Sequence, residues 1–267
     1  MSPSTTALLR ATVALPLLAL AAGQAGAAQV QVSVNIENLA PANSVSFAPL
    51  HLGFNNGTFD AFNLGQVGNA ATVSVAEGGA GGAWQAAFAA ADPTAVRGTI
   101  GGPLFPGASK SVSFMVDSVL NPFFTFAAMV IPSNDFFIGN DAPTEYRLLN
   151  AAGALQINSI TVKANEIWDA GSEVFDPAAS AFVGSNSLRA NQGSVVAFNF
   201  AEFFGYNGLT TAAGYTFNSQ LAANTDVYRI SFSAIPAVPE PERYAVMGAG
   251  LLAVGALARR RLAKPSA

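Results

Sequence analysis

Cysteine is absent from all 267 residues, so disulfides, thiolate metal sites and a cysteine nucleophile are excluded at the outset. Histidine occurs once, at His51, and a histidine-based triad would have to use that single ring, with no G-x-S-x-G elbow to accompany it. Beside Pro49 and Leu50 it reads as a packing or hydrogen-bonding residue. Charge is scarce, at 10% of residues, and it is unevenly placed. Fourteen of the 16 acidic residues but six of the 12 basic ones lie between residues 28 and 233, which leaves that stretch at about −8 although the whole chain is −4. An acidic field of this kind repels nucleic acid and favours cations, so nucleic-acid binding is excluded. With no cross-links, the core alone must stabilise the fold. The material is present in 20 phenylalanines, each able to bury roughly 150–250 Å².

The two ends differ from the middle. After Met1 the chain is small and polar with one positive charge, Arg10, and then runs through the apolar stretch Ala11 to Ala22, which is too short to span a bilayer. Ala25, Gly26 and Ala27 follow as an A-x-A cleavage site, so residues 1–27 read as a secretory signal peptide. At the other end Val238, Pro239, Glu240 and Pro241 precede the largely apolar run Tyr244 to Ala258, which stops at Arg259, Arg260 and Arg261. Fifteen residues at about 1.5 Å each make a short transmembrane helix at best, and the arginines are expected to stay on the cytoplasmic side as a membrane stop. Box, apolar helix and basic cluster in this order resemble the PEP-CTERM sorting signal. That resemblance implies an exosortase-type sorting protease as partner, Val238 to Pro241 as its recognition and processing site, and delivery to a cell envelope or its exopolysaccharide. A plain C-terminal anchor would keep the same topology without the processing step. Either way the chain is expected to be exported and held, at least transiently, by its C-terminal helix.

Residues 28–236 are long enough for one domain with a substantial core, and no internal linker divides them. Val30, Val32, Val34 and Ile36 alternate with Gln31, Ser33, Asn35 and Glu37, the period-two pattern of a strand with one buried face. The alternation recurs over 72–75, at Val112, Phe114 and Val116, over 195–200, and at Tyr228, Ile230 and Phe232. Ile157, Ile160 and Val162 add another strand, while the unbroken apolar run Phe123 to Ile131 predicts a central strand covered on both sides. One helix is expected over Ala83 to Ala91, where Trp84, Ala87 and Phe88 recur at helical spacing before Pro93. Many strands with one short helix predict an all-β fold, an antiparallel β-sandwich, flanked by the signal peptide and the C-terminal transmembrane helix.

Two acidic stretches stand at strand ends: Pro132-Ser133-Asn134-Asp135-Phe136-Phe137-Ile138-Gly139 after the buried run, and Trp168-Asp169-Ala170-Gly171-Ser172-Glu173 after the strand around Ile160. Carboxylates on neighbouring loops can converge on a hard cation, which takes 6–8 oxygen ligands at about 2.3–2.6 Å. Together with Pro49-Leu50-His51 and the stretch Asn55 to Phe62, these motifs resemble the spondin N-terminal domain over about Val30 to Gly184. The resemblance implies an antiparallel β-sandwich and a bound divalent ion, Ca²⁺, with Asp135, Asp169 and Glu173 as ligands. Asp117, which precedes the buried strand, is a further candidate without a motif around it. The chain departs from animal members in lacking cysteines and thrombospondin-type repeats, so their adhesion to matrix is not carried over. The alternative for the same acids is a set of solvated caps and turns.

The function expected is therefore a non-enzymatic, Ca²⁺-binding adhesion or structural module on the surface or in the matrix. The alternative is a secreted polysaccharide-active hydrolase using two of these carboxylates, whose required separation of about 5–10 Å a sequence does not disclose.

Overall fold

Alternation becomes burial in the first strand: Val30, Val32 and Val34 are fully buried while Gln29 and Gln31 face water. The computed structural model describes residues 29–236 together with 248, 250–255 and 259. Signal segment 1–27, the box Val238 to Pro241, and Arg260 and Arg261 lie outside the described residues. Residues 250–255 and Arg259 are helical, and among the described residues no helix is long and apolar enough to cross a membrane.

Along the chain the strands are β1 (Gln29–Asn38), β2 (Ser46–Phe47), β3 (Leu50–Asn55), β4 (Val96–Ile100), β5 (Ser109–Asp117), β6 (Phe123–Ile131), β7 (Phe136–Gly139), β8 (Tyr146–Arg147), β9 (Ser159–Lys163), β10 (Trp168–Asp169) and β11 (Asp226–Pro236). They form two antiparallel sheets. The smaller has the order β5-β1-β11-β9, and the larger runs β10-β7-β6-β3-β4, with β2 and β8 added along β6. The sheets pack face to face over one core, where Phe124 meets Phe232 at 4.9 Å between ring centroids and Phe47 meets Tyr228 at 4.5 Å.

The run Phe123 to Ile131 is the central strand that its composition predicts. Phe124, Phe126, Ala128 and Val130 enter the core between the sheets, while Ala127 packs beneath a helical layer on the outer face. Covered on both sides, β6 has no polar face to alternate with.

That outer layer departs from the sequence expectation of one helix. There are two, α1 (Ala70–Gly78) and α2 (Gly82–Ala91), so the stretch 72–75 read as a strand is the middle of α1. Its ends are specified locally: Asn69 Oδ1 accepts from the N–H groups of Ala71 and Thr72 at 3.0 Å each, and Gly79 closes the helix at φ +63°. Helix α2 has no side-chain cap and is held by packing. Its Phe88 stacks on Phe59 at 4.2 Å, Trp84 meets Phe59 edge-on at 5.1 Å, and Phe88 rests on the bare backbone of Gly53 in β3, where a Cβ would lie 2.2 Å from the ring. The stretch 195–200 also departs from the strand expected there. It contributes one isolated bridge, Ala197 opposite Asp169, and then enters the 3₁₀ segment Phe200–Tyr206.

Candidate functional site

Past the end of β6 the chain turns through Pro132, Ser133, Asn134 and Asp135 into β7, and each polar residue of that turn fixes a neighbouring segment. Ser133 Oγ donates to Val130 O at 2.5 Å and accepts from Phe136 N at 3.0 Å, which closes the turn on itself. Buried Asn134 holds the loop around residues 176–180: its Oδ1 accepts from Asp176 N at 3.1 Å, Ser180 Oγ at 2.8 Å and Tyr206 Oη at 2.9 Å. Burial pushes the Tyr206 phenol upward, so it remains the donor. Asp135 follows, 1% exposed.

Asp169 arrives beside it because β10 pairs with β7, placing Asp169 opposite Phe136 and letting Ala170 N donate to Asp135 O at 3.1 Å. The next residues wrap the Asp135 carboxylate. Asp169 Oδ1 accepts from Gly171 N at 2.7 Å, Gly171 takes φ +65°, and the chain then presents Ser172 N, Ser172 Oγ and Glu173 N to Asp135 Oδ2 at 2.7, 3.1 and 3.0 Å. Glycine is required twice over at 171, since a Cβ there would also stand 2.7 Å from Val195 O. The Asp-Ala-Gly-Ser-Glu motif is thus a cradle of donors for the first motif's aspartate.

Two further residues join from the 3₁₀ segment and its start. Asn199 Nδ2 donates both to Asp169 Oδ2 at 3.1 Å and to Glu202 Oε1 at 2.5 Å, so one amide nitrogen sits between two carboxylates. Burial raises Asp135 to about 6, with the charge of Asp169 adding to it and the three donors opposing it. Glu202 is raised to about 7, again chiefly by burial, then by the charges of Asp169 and Asp135. The hydrogen bonds described at this cluster come from neutral donors, the amide, hydroxyl and backbone N–H groups above. Burial thus works against charges that no cationic donor balances.

Glu173 donates its backbone to this cradle but turns its side chain elsewhere. Arg189 Nη1 binds Glu173 Oε1 at 2.8 Å and Glu77 Oε2, on α1, at 2.7 Å. The Glu173 carboxyl is raised by burial, with Arg189 opposing that shift. Asp117 stands apart, at the end of β5 in the smaller sheet, where its Oδ1 accepts from Val119 N and Leu120 N at 2.9 and 3.0 Å. It caps its own turn. Of the four candidate ligands, then, the structure brings Asp135 and Asp169 together, supports Asp135 with the backbone N–H of Glu173, and places Asp117 on the other sheet. Among the described residues no three His, Asp or Glu side chains converge closely enough to hold an ion as they stand.

Asn199 and Glu202 were not legible in the sequence: they lie 30 and 33 residues beyond Asp169, Asn199 within the stretch 195–200 whose alternation reads as a strand and Glu202 just past it, with no motif around them. His51, 5% exposed, accepts or donates within a closed set, Nε2 to Gly79 O at 3.0 Å and Nδ1 to Thr99 Oγ1 at 3.1 Å, and burial lowers its pKa. Because the Gly79 carbonyl only accepts, Nε2 carries the proton and the neutral ring ties the end of α1 to β3 and β4. Compared with known proteins, the chain matches no family model and no curated protein.

Proposed function

We propose that this chain is an exported, surface- or matrix-associated module of spondin type, not an enzyme, whose loops at one end of a β-sandwich are tied together by a hard divalent cation. The signal segment would route it out of the cytoplasm. The tail, with its Val238 to Pro241 box, apolar helix and arginine stop, would anchor it for an exosortase-type protease at the cell envelope.

The observation that carries the cation reading is the uncompensated acidic cluster, Asp135 and Asp169 with Glu202 beside them, where an amide nitrogen lies between two carboxylates and Arg189 is engaged by Glu77 and Glu173. Its donors are all oxygen, the chemistry that Ca²⁺ takes. Asp135, Asp169 and Glu202 would hold the ion, and Asn199 would serve by turning its carbonyl oxygen inward. A bound ion would supply the positive charge that burial otherwise withholds. The role of the cradle is to orient Asp135, and that of the β7–β10 pairing is to keep the two aspartates adjacent.

Thermal unfolding with Ca²⁺ and with excess chelator tests this. Saturation at 100 times Kd adds roughly 2.7 kcal/mol, a clear rise in midpoint, and Asp169→Asn is expected to abolish it. Coincident midpoints would leave the cluster as a set of loop caps. The Asp169–Glu202 pair also keeps the hydrolase reading in play, since two carboxylates share one amide and Glu202 is raised to about 7. Polysaccharide cleavage lost in Glu202→Gln with the fold intact would favour that reading over the module.

A further inference from the structure

The turn that cradles Asp135 has a second face. A cavity of about 300 Å³ opens there, bounded by α1, by the turn 170–172 and by the segment 191–194. Its walls are fixed rather than collapsible. Gln192 N donates to Ser172 O at 2.6 Å and Ser194 N to Gly171 O at 2.8 Å, stitching segment to turn. Arg189, bound to Glu77 on α1 and to Glu173 beyond the turn, sets the spacing between helix and loop.

The lining decides what can bind. Asn191, Gln192 and Ser194 line the cavity and their side chains find no hydrogen-bond partner among the described residues, so amide donors, amide acceptors and a hydroxyl are uncommitted at its wall. Glu77, one helical turn from Val73, offers one more acceptor and shares the single Arg189 cation with Glu173. One guanidinium shared by two carboxylates leaves this edge of the lining negative, which disfavours an anion, and among the described residues Glu77 is the one acidic side chain in the lining, too few to hold a cation. Its apolar part is small, Val73 with the 66%-exposed Val67. Alternating neutral donors and acceptors beside a small apolar strip match adjacent hydroxyls on one edge of a pyranose ring and C–H groups on its face. The volume lies at the low end of small-molecule sites, about 300–1,000 Å³, which fits one sugar residue.

We propose that this cavity is a saccharide-binding site in which Asn191, Gln192 and Glu77 hydrogen-bond the hydroxyls of a single sugar residue. The site goes beyond the cation reading and does not depend on it, because none of the hydrogen-bonding side chains assigned to the sugar is assigned to the ion.

The test uses the full chain and the methyl glycosides of glucose, galactose, mannose and N-acetylglucosamine, with saturation-transfer NMR and titration calorimetry, in Ca²⁺ and again in chelator. At least one glycoside is expected to bind with a millimolar Kd in both conditions. The double variant Asn191→Ala/Gln192→Ala, at two exposed positions whose side chains bond nothing in the fold, is expected to keep the wild-type unfolding midpoint and weaken binding at least about tenfold. Absence of binding by all four glycosides, binding that vanishes in chelator, or equal affinity in the double variant would overturn the proposal. Binding that persists in chelator while Ca²⁺ fails to raise the midpoint would separate this site from the cation reading and leave it standing.

Discussion

Asp135 is an anion buried against another anion, and its cost is set by pH. Its folded value of about 6 lies above the ordinary 3.8, so the folded state holds the proton more tightly than the unfolded chain does. The associated stability is complete below about pH 3.8 and is lost as pH rises through about 6, on the order of a few kcal/mol for a group this buried. Glu202 adds a change of the same sign between its ordinary 4.5 and about 7. In chelator, urea midpoints are therefore expected to fall between pH 4 and pH 7, and Asp135→Asn is expected to flatten that slope. A midpoint that rises over the same interval would contradict the burial account. Gly171→Ala is expected to cost about 1–3 kcal/mol in urea unfolding, since it adds a Cβ 2.7 Å from Val195 O at a residue with φ +65°. Much of this was legible beforehand at the residue scale. Asp135, Asp169 and the glycine between the acids stand out in sequence, because strand ends and an Asp-x-Gly turn are local chemistry. Where Glu173 points was not legible, because Arg189 comes from a loop 16 residues on.

At the scale of elements, sequence pattern succeeds where one face is wet, or where an apolar run is as long and unbroken as that of β6, and fails on a short strand buried on both faces. β1, β5, β6, β9 and β11 fall on the stretches that read as strands. β3 gave no pattern, since Leu50 through Asn55 are all buried and no polar face marks the period. Four alternating residues at 72–75 are equally compatible with a helix, and what decides is Asn69 at one end and Gly79 at the other, both local signals that lie outside the four. Helix α2 shows the reverse dependence. Lacking a side-chain cap, it is held by Trp84 and Phe88, and Trp84 Nε1 is buried with no hydrogen-bond partner among the described residues. Trp84→Phe removes that orphaned donor while keeping most of the ring, so it is expected to cost less than about 1.5 kcal/mol. Trp84→Ala is expected to cost about 3–5 kcal/mol by opening a cavity under the helix. Urea titrations of the two variants check the contrast, and equal losses would show that α2 is not held by this ring.

Across the whole molecule the first and last strands are partners. β1 pairs with β11 along nine residues, from Val30 opposite Pro236 to Asn38 opposite Tyr228, and β11 pairs with β9 on its other edge. The smaller sheet therefore has its latest segment in its middle. A chain ending at Thr225 is expected to show no cooperative unfolding transition, because β9 loses β11, its one neighbour in that sheet among the described residues, and the core loses Tyr228, Ile230 and Phe232. A sigmoidal melt of that truncation would show that the larger sheet and its helices fold alone. The acidic cluster and the cavity beside it both sit at the larger sheet's margin, on loops that this arrangement leaves at the surface.

The β1–β11 pairing also governs time. A chain made from its N-terminus exposes β1 early, yet β1 has one of its two neighbours missing until some 190 residues later. The smaller sheet cannot close until β11 has been synthesised. A polypeptide threaded through a membrane N-terminus first must remain unfolded to pass, and under the proposed export the strand order would supply that wait: the smaller sheet would stay open until β11 had crossed.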